Sequence, residues 1–119
     1  MTLFSWLVIG HLIGDWILQN DWMAKGKQQS WINRAGLTHF SIYTMAVLAA
    51  WGVWGWREQS LGQLLTIGVG IFTTHWLIDA GRLAERWAHF YRQSNVEVVR
   101  LLVDQTLHLV VLVGVTILS

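Results

Sequence analysis

The sequence predicts an all-α, polytopic membrane protein, in which residues 1–119 form a single bundle of four transmembrane helices. Hydrophobic residues make up 54% of the chain and charged residues 13%, whereas a soluble domain carries about 25% charged residues. There is no proline to interrupt a helix, and the nine tryptophans fit a membrane interface. The alternative, a soluble bundle of four buried helices, lacks the polar residues that an outer face needs.

Four apolar stretches reach or approach the ~17–25 residues that a spanning helix needs. The first has no basic n-region and carries His11 and Asp15 in its apolar part, so we expect it to be retained and not cleaved as a signal peptide. It also carries two glycines four residues apart, Gly10 and Gly14, a spacing that allows close helix packing. The stretches are about Leu3–Gln19, Leu37–Trp56, Leu61–Leu83 and Val98–Leu118.

The two long connections between these helices differ in character. In Arg82–Arg92, the apolar residues Leu83, Trp87, Phe90 and Tyr91 share one helical face, which predicts a short amphipathic helix on the membrane surface. The first connection, Asn20–Gly36, is polar with scattered aromatic residues, and we expect an interfacial loop.

Basic residues predict the orientation. Both long connections and the adjoining helix ends carry seven of the eight, and Arg57 is the one on the opposite side. The positive-inside rule therefore predicts cytoplasmic connections and both termini outside. The seven are Lys25, Lys27, Arg34, Arg82, Arg86, Arg92 and Arg100.

Three polar motifs interrupt the apolar stretches: His11–Asp15, His75–Asp79 and Asp104–His108. In each, histidine and aspartate are four residues apart and therefore about one helical turn apart on one face. An aspartate within a membrane costs about 2.5–3.5 kcal/mol, so three of them indicate a function. The reversed order of the third motif places all three aspartates about 6–9 Å from the inner helix ends and the three histidines about 12–15 Å deep.

Imidazole and carboxylate are common ligands of zinc, manganese and iron, and the lack of cysteine excludes thiolate sites. We expect His11, His75 and His108 to hold a divalent transition metal, with the aspartates completing the shell and one acting as general base. The seven candidate ligands are enough for one ion or for two, and the alternative is a hydrogen-bonded network without metal. The candidate ligands are His11, Asp15, His39, His75, Asp79, Asp104 and His108, with Asp15, Asp79 and Asp104 also the candidate catalytic residues.

The ordered motifs resemble a family of small bacterial integral membrane proteins known as domain of unknown function 3307. The likeness covers almost the whole chain and implies a multi-pass protein of the bacterial inner membrane. The family typically has lysine three residues after the aspartate of the third helix, where this chain has Arg82. The matching segments are His11-x-x-Gly-Asp15-Trp-x-Leu-Gln19, Asp21-Trp-Met-Ala-x-x-Lys27, Leu37-Thr-His39, His75-x-x-Ile-Asp79 and Asp104-Gln105-x-x-His108.

The leading functional hypothesis is a metal-dependent hydrolase of a lipid or lipid-linked substrate, with Arg82 and Arg100 binding a phosphate near the inner mouth. One alternative is a transporter of ions or protons; another is a structural subunit or assembly factor. The lipid bilayer is the expected partner, alone or with a homo-oligomer or larger membrane complex. A net charge of +1 gives no case for nucleic-acid binding.

Overall fold

The structure is a computed structural model, and it describes residues 1–55, 59–93 and 95–119. The described residues are helical with short connections, which confirms the all-α prediction. A π-helical turn at Ile13–Ile17 directly continues the first helix. The α-helices are α1 (Leu3–Leu12), α2 (Asp21–Gly26), α3 (Arg34–Gly55), α4 (Leu61–Ala80), α5 (Leu83–Phe90) and α6 (Glu97–Leu118).

Among the described residues, three helices are long and apolar enough to cross a membrane: α3, α4 and α6. The prediction of a fourth spanning helix at Leu3–Gln19 is corrected, because the apolar helix there ends at Ile17. At 1.5 Å per residue it is about 22 Å long, whereas the hydrocarbon core is about 30 Å thick. Trp56 and Arg57, the predicted end of helix two and the predicted outer basic residue, lie outside the described residues.

The two connections contain short helices. Helix α5 confirms the helix predicted within Arg82–Arg92, with Trp87 and Phe90 exposed. Helix α2 replaces part of the loop expected at Asn20–Gly36, and its start has a local cause. The side chain of Asn20 accepts a hydrogen bond from the backbone N–H of Met23 and so caps the helix.

Helix α3 is the centre of the bundle and packs against α1, α2 and α4, while α6 packs against α1, α4 and α5. Two glycines allow α1 and its π-helical turn to approach α3 closely. A Cβ atom at Gly10 would lie 2.9 Å from the Cβ of Ala50, and one at Gly14 would lie 2.9 Å from the Cα of Tyr43. The close packing predicted from the glycine spacing is confirmed.

The interior divides along the helices into two parts. The apolar half is a cluster of buried side chains toward the chain termini and the α3–α4 connection, and Tyr43 borders it. The polar half lies near α2 and α5 and buries the histidines and aspartates of the sequence motifs. The apolar half consists of Leu3, Leu7, Val47, Trp51, Ile71, Leu112 and Val115.

Candidate metal centre

Two histidines and two aspartates from four segments meet in the polar half: Asp15, His39, His75 and Asp79. All four are buried, and one ligand atom of each lies within 4.8 Å of the others. The Nε2 atoms of His39 and His75 are 2.8 Å apart. Asp15 Oδ1 is 3.1 Å from the Nε2 of His39 and 3.7 Å from that of His75. Asp79 Oδ2 is 3.4 Å and 3.0 Å from the same two atoms. We call these four residues the primary cluster.

A second group adjoins the primary cluster and shares Asp15 with it: Asp15, Asp104 and His108. His108 Nε2 lies 3.6 Å from Asp104 Oδ2 on the same helix and 3.1 Å from Asp79 Oδ1. Asp104 is half-buried, whereas His108 is buried. The structure therefore brings six of the seven predicted ligands together.

Local helix geometry explains which predicted pairs form. His75–Asp79 and Asp104–His108 lie on regular α-helix and make contacts at four-residue spacing, as the sequence predicts. Asp15 lies in the π-helical turn, which is wider than an α-turn. The turn changes the angular spacing after His11, and the Asp15 carboxylate reaches His39 on the neighbouring helix.

His11 is the predicted ligand that lies outside both groups. Its Nδ1 is 2.8 Å from the hydroxyl of Tyr43, and its Nε2 is 2.7 Å from Oε1 of Gln105. Because both ring nitrogens are in hydrogen bonds, His11 acts here as a packing and hydrogen-bonding residue beside the cluster. The side chain of Gln105 also donates to Asp15 Oδ2 at 3.0 Å and to Asp104 Oδ2 at 3.2 Å.

Lys27, from the segment after α2, brings a positive charge to the primary cluster. Its Nζ lies 3.0 Å from Asp79 Oδ2 and 3.9 Å from Asp15 Oδ1. Burial by itself lowers the pKa of Lys27, but the carboxylates of Asp79 and Asp15 outweigh this effect and raise the pKa above its ordinary value. Lys27 is therefore a fixed ammonium at the site.

Several polar atoms of the primary cluster have no hydrogen bond in good geometry within the described part of the chain. They include Asp15 Oδ1 and Asp79 Oδ2, although each lies in ion-pair contact with Lys27 or a histidine. Buried polar atoms without hydrogen bonds are rare and call for an explanation such as a bound ion or water. The Nδ1 atoms of His39 and His75 are also buried without a hydrogen bond to any described residue.

Two cavities open beside the cluster, and Lys27, Leu101 and Asp104 line both. The larger, of about 300 Å³, also contacts Asp15 and Gln105, so it reaches the carboxylates. The smaller, of about 270 Å³, extends between α2, α5 and α6. Together they form the mouth of the site.

The two predicted phosphate-binding arginines have different positions. Arg82 is exposed, and its Nε donates to the Glu85 carboxylate at 2.7 Å. Its backbone φ of 54° is in the left-handed region, and the residue is the N-cap that precedes α5. Arg100 is half-buried and lines the smaller cavity. Of the two arginines, Arg100 therefore lies at the mouth.

Two residues of the site were not predicted from the sequence. The sequence indicates only that Lys27 lies in the basic connection, and its contact with Asp79 depends on the path of the chain after α2. Tyr43 follows His39 by four residues, a spacing that places both on one face of α3. Its ring stacks on that of His75, with centroids 3.8 Å apart. The four-residue spacing from His39 is therefore the sequence signal that could have identified Tyr43 as part of the site.

The fold and the cluster define a helical protein with candidate membrane spans and a buried histidine–aspartate centre able to hold a metal ion. The chain belongs to the family described as protein of unknown function (DUF3307), whose sequence profile matches residues 3–119. This match confirms the family resemblance drawn from the motifs. No curated protein and no solved structure matches the chain.

Proposed function

We propose that the protein is a membrane metalloprotein that binds a divalent transition ion at the primary cluster. The convergence of its four ligand atoms supports the proposal. Five of their six mutual distances lie between 2.8 and 3.7 Å. A tetrahedral zinc ion with nitrogen and oxygen ligands at 2.0–2.1 Å has ligand atoms about 3.3–3.4 Å apart. The side chains need only small movements to match this geometry.

The charge of the polar half supports the same proposal. Three carboxylates (Asp15, Asp79 and Asp104) and one ammonium (Lys27) give a charge of −2 when the imidazoles are neutral. Burying such a charge without compensation is costly. One divalent cation balances it, whereas a metal-free network requires two imidazolium ions in a polar half that already holds the ammonium of Lys27.

Metal analysis of the purified protein tests the proposal. Wild-type protein prepared without chelator should contain at least one equivalent of zinc, manganese or iron. His39→Ala and His75→Ala should each lose most of it, because each removes one of two nitrogen ligands. His11→Ala and the exposed His89→Ala are matched controls and should retain it. Absence of a stoichiometric transition metal from the wild-type protein would contradict the proposal.

We further propose that the bound ion serves hydrolysis of a lipid or lipid-linked substrate. The mouth gives the cluster access from one end of the bundle, and the apolar half fills the other end with buried side chains. This arrangement favours a site entered from one side over a transport path. When bound, the ion would polarise a carbonyl or phosphoryl oxygen of the substrate. Lys27 and Arg100 would hold a negatively charged group in the mouth.

Activity assays distinguish a hydrolase from a structural subunit. The protein in mixed micelles should hydrolyse an ester or phosphoester lipid, and added chelator should abolish turnover. Asp104→Asn should also abolish turnover but should retain the ion of the primary cluster, because Asp104 lies outside that cluster. Turnover by the Asp104→Asn variant at the wild-type rate would contradict a role for the mouth in hydrolysis. Metal or proton flux in proteoliposomes would indicate a transporter instead.

The orientation inferred from the basic residues places the mouth at the cytoplasmic face. Cysteines introduced at Gln28 and Gln93 should resist impermeant thiol reagents in intact cells, and a cysteine at Gln59 should react. The chain has no native cysteine, so each label reports one position. Labelling of the Gln28 position from outside would reverse the orientation and move the mouth to the other face.

A further inference from the structure

The carboxylates of Asp15 and Asp79 each direct their two oxygens to different groups of residues. Oδ1 of Asp15 and Oδ2 of Asp79 face His39 and His75 in the primary cluster. The other oxygens face α6, where Asp15 Oδ2 accepts a hydrogen bond from Gln105 and Asp79 Oδ1 lies 3.1 Å from His108 Nε2. Both carboxylates are therefore placed between two sets of ligands.

From this arrangement we propose a second metal ion, held by Asp104, His108 and the α6-facing oxygens of Asp15 and Asp79. The inference rests on the proposed function, because the second ion would share both aspartates with the first. Two ions bridged by carboxylates are a common arrangement in metal-dependent hydrolases, where they lie about 3.5–4 Å apart. A centre built in a bundle core from facing helices is also a known way to hold two ions.

Gln105 contributes to the geometry of the second site without being a ligand. Its amide group donates to one carboxylate oxygen of Asp15 and one of Asp104. Its carbonyl oxygen accepts from Trp16 Nε1 at 3.1 Å and lies 2.7 Å from His11 Nε2. Because these partners hold both ends of the amide, Gln105 fixes the carboxylates that would bind the second ion and acts as a positioning residue.

The charge of the polar half predicts that the two ions bind with different affinities. The first divalent ion neutralises the charge of −2 in the polar half, and a second would leave a charge of +2. We therefore expect the second ion to bind more weakly and to bind together with a small anion in the mouth, next to Lys27 and Asp104. A phosphate group fits this charge, which makes a phosphate ester the expected class of substrate.

Manganese titration of the full chain in detergent, after chelator has removed the bound metal, followed by electron paramagnetic resonance, tests the inference. With inorganic phosphate present, wild-type protein should bind two equivalents of Mn²⁺ and give the broad spectrum of an exchange-coupled pair. Asp104→Asn and His108→Ala should bind one equivalent and give the six-line spectrum of an isolated ion. Glu97→Gln, which changes an exposed carboxylate in the first turn of α6, outside both ligand groups and both cavities, is the matched control and should bind two.

The outcomes separate this inference from the proposed function. One tightly bound equivalent in the wild-type protein, unchanged in Asp104→Asn, would overturn the second site and leave the first in place. No bound Mn²⁺ would overturn the second site, and the metal analysis of the purified protein would then decide the first. If His108→Ala fails to fold, Asp104→Asn still decides the matter, because Asp104 is half-buried and its amide replacement has nearly the same shape. Gln105→Ala should keep the first ion and weaken the second about tenfold or more.

Discussion

The polar and apolar halves of the bundle are built from the same helices but have opposite roles. In the apolar half, α1, α3, α4 and α6 contribute only tightly packed hydrophobic side chains and the ring of Trp51. One or two turns further along, the same helices bury four histidines and two aspartates. The apolar half would tolerate other apolar side chains of similar volume, whereas the polar half depends on particular atoms.

This difference indicates that stability and chemistry are separable within one small protein. Buried charges are weak evidence for stability, since well-packed apolar residues of similar size often stabilise as much. An aspartate cluster in an apolar bundle is therefore expected to be kept for what it binds. Substitutions in the polar half should then change metal binding, whereas substitutions in the apolar half should change stability alone.

The largest effect is expected for Asp79→Ala, because Asp79 contacts three histidines and Lys27. Removing it leaves buried positive and polar groups unpaired, at a cost of about 3–5 kcal/mol, and should abolish metal binding. Leu112→Ala in the apolar half should cost about 2–5 kcal/mol through the cavity it leaves, with metal content unchanged. Denaturation in detergent and metal analysis measure both. Loss of the metal in Leu112→Ala would show that the halves are not separable.

A smaller loss of stability is expected for alanine substitutions at Gly10 and Gly14, which form a matched pair. Gly10→Ala and Gly14→Ala each place a methyl group against α3, at a cost of about 1–3 kcal/mol. Only Gly14→Ala should also weaken metal binding, by about tenfold, because Gly14 precedes Asp15 and contacts the backbone of Tyr43. Isothermal titration with Zn²⁺ compares the two. Equal metal affinities in the two variants would contradict this separation.

The smallest effect is expected for Tyr43→Phe, at the border between the halves. The change keeps the ring stacked on His75 but removes the hydroxyl that lies 2.8 Å from His11 Nδ1. We expect a loss of about 1 kcal/mol in stability and little change in metal content, since His11 lies outside both ligand groups. Metal content reduced as strongly as in His39→Ala would instead assign His11 and Tyr43 to the centre.

Much of this site follows from helical spacing alone. The pairs His75–Asp79 and Asp104–His108 lie on regular helix, so a count of four residues is enough to place each pair on one face. The reversed motif on the last predicted helix correctly indicates that its polar residues meet those of the other helices. His39 has no aspartate four residues away, so this count does not place it, and it lies fully buried in the primary cluster.

Features that depend on departures from regular geometry were not predictable in this way. The π-helical turn at Ile13–Ile17 separates the roles of His11 and Asp15, although their spacing equals that of His75 and Asp79. The first apolar helix ends with this turn, at Ile17, and the chain begins α2 at the cap residue Asn20. Lys27 reaches Asp79 across more than fifty residues of sequence, and spacing rules describe only neighbours on one helix.

X-ray absorption spectroscopy of the protein loaded with one equivalent of Zn²⁺ tests the central claim most directly. We expect a shell of nitrogen and oxygen ligands at about 2.0–2.1 Å from the ion. Scattering from two imidazole rings should be present in the wild-type protein and in His11→Ala, and from one ring in His39→Ala. A hydrated ion without imidazole scattering, or a spectrum that His39→Ala leaves unchanged, would contradict the assignment of the primary cluster as a metal centre.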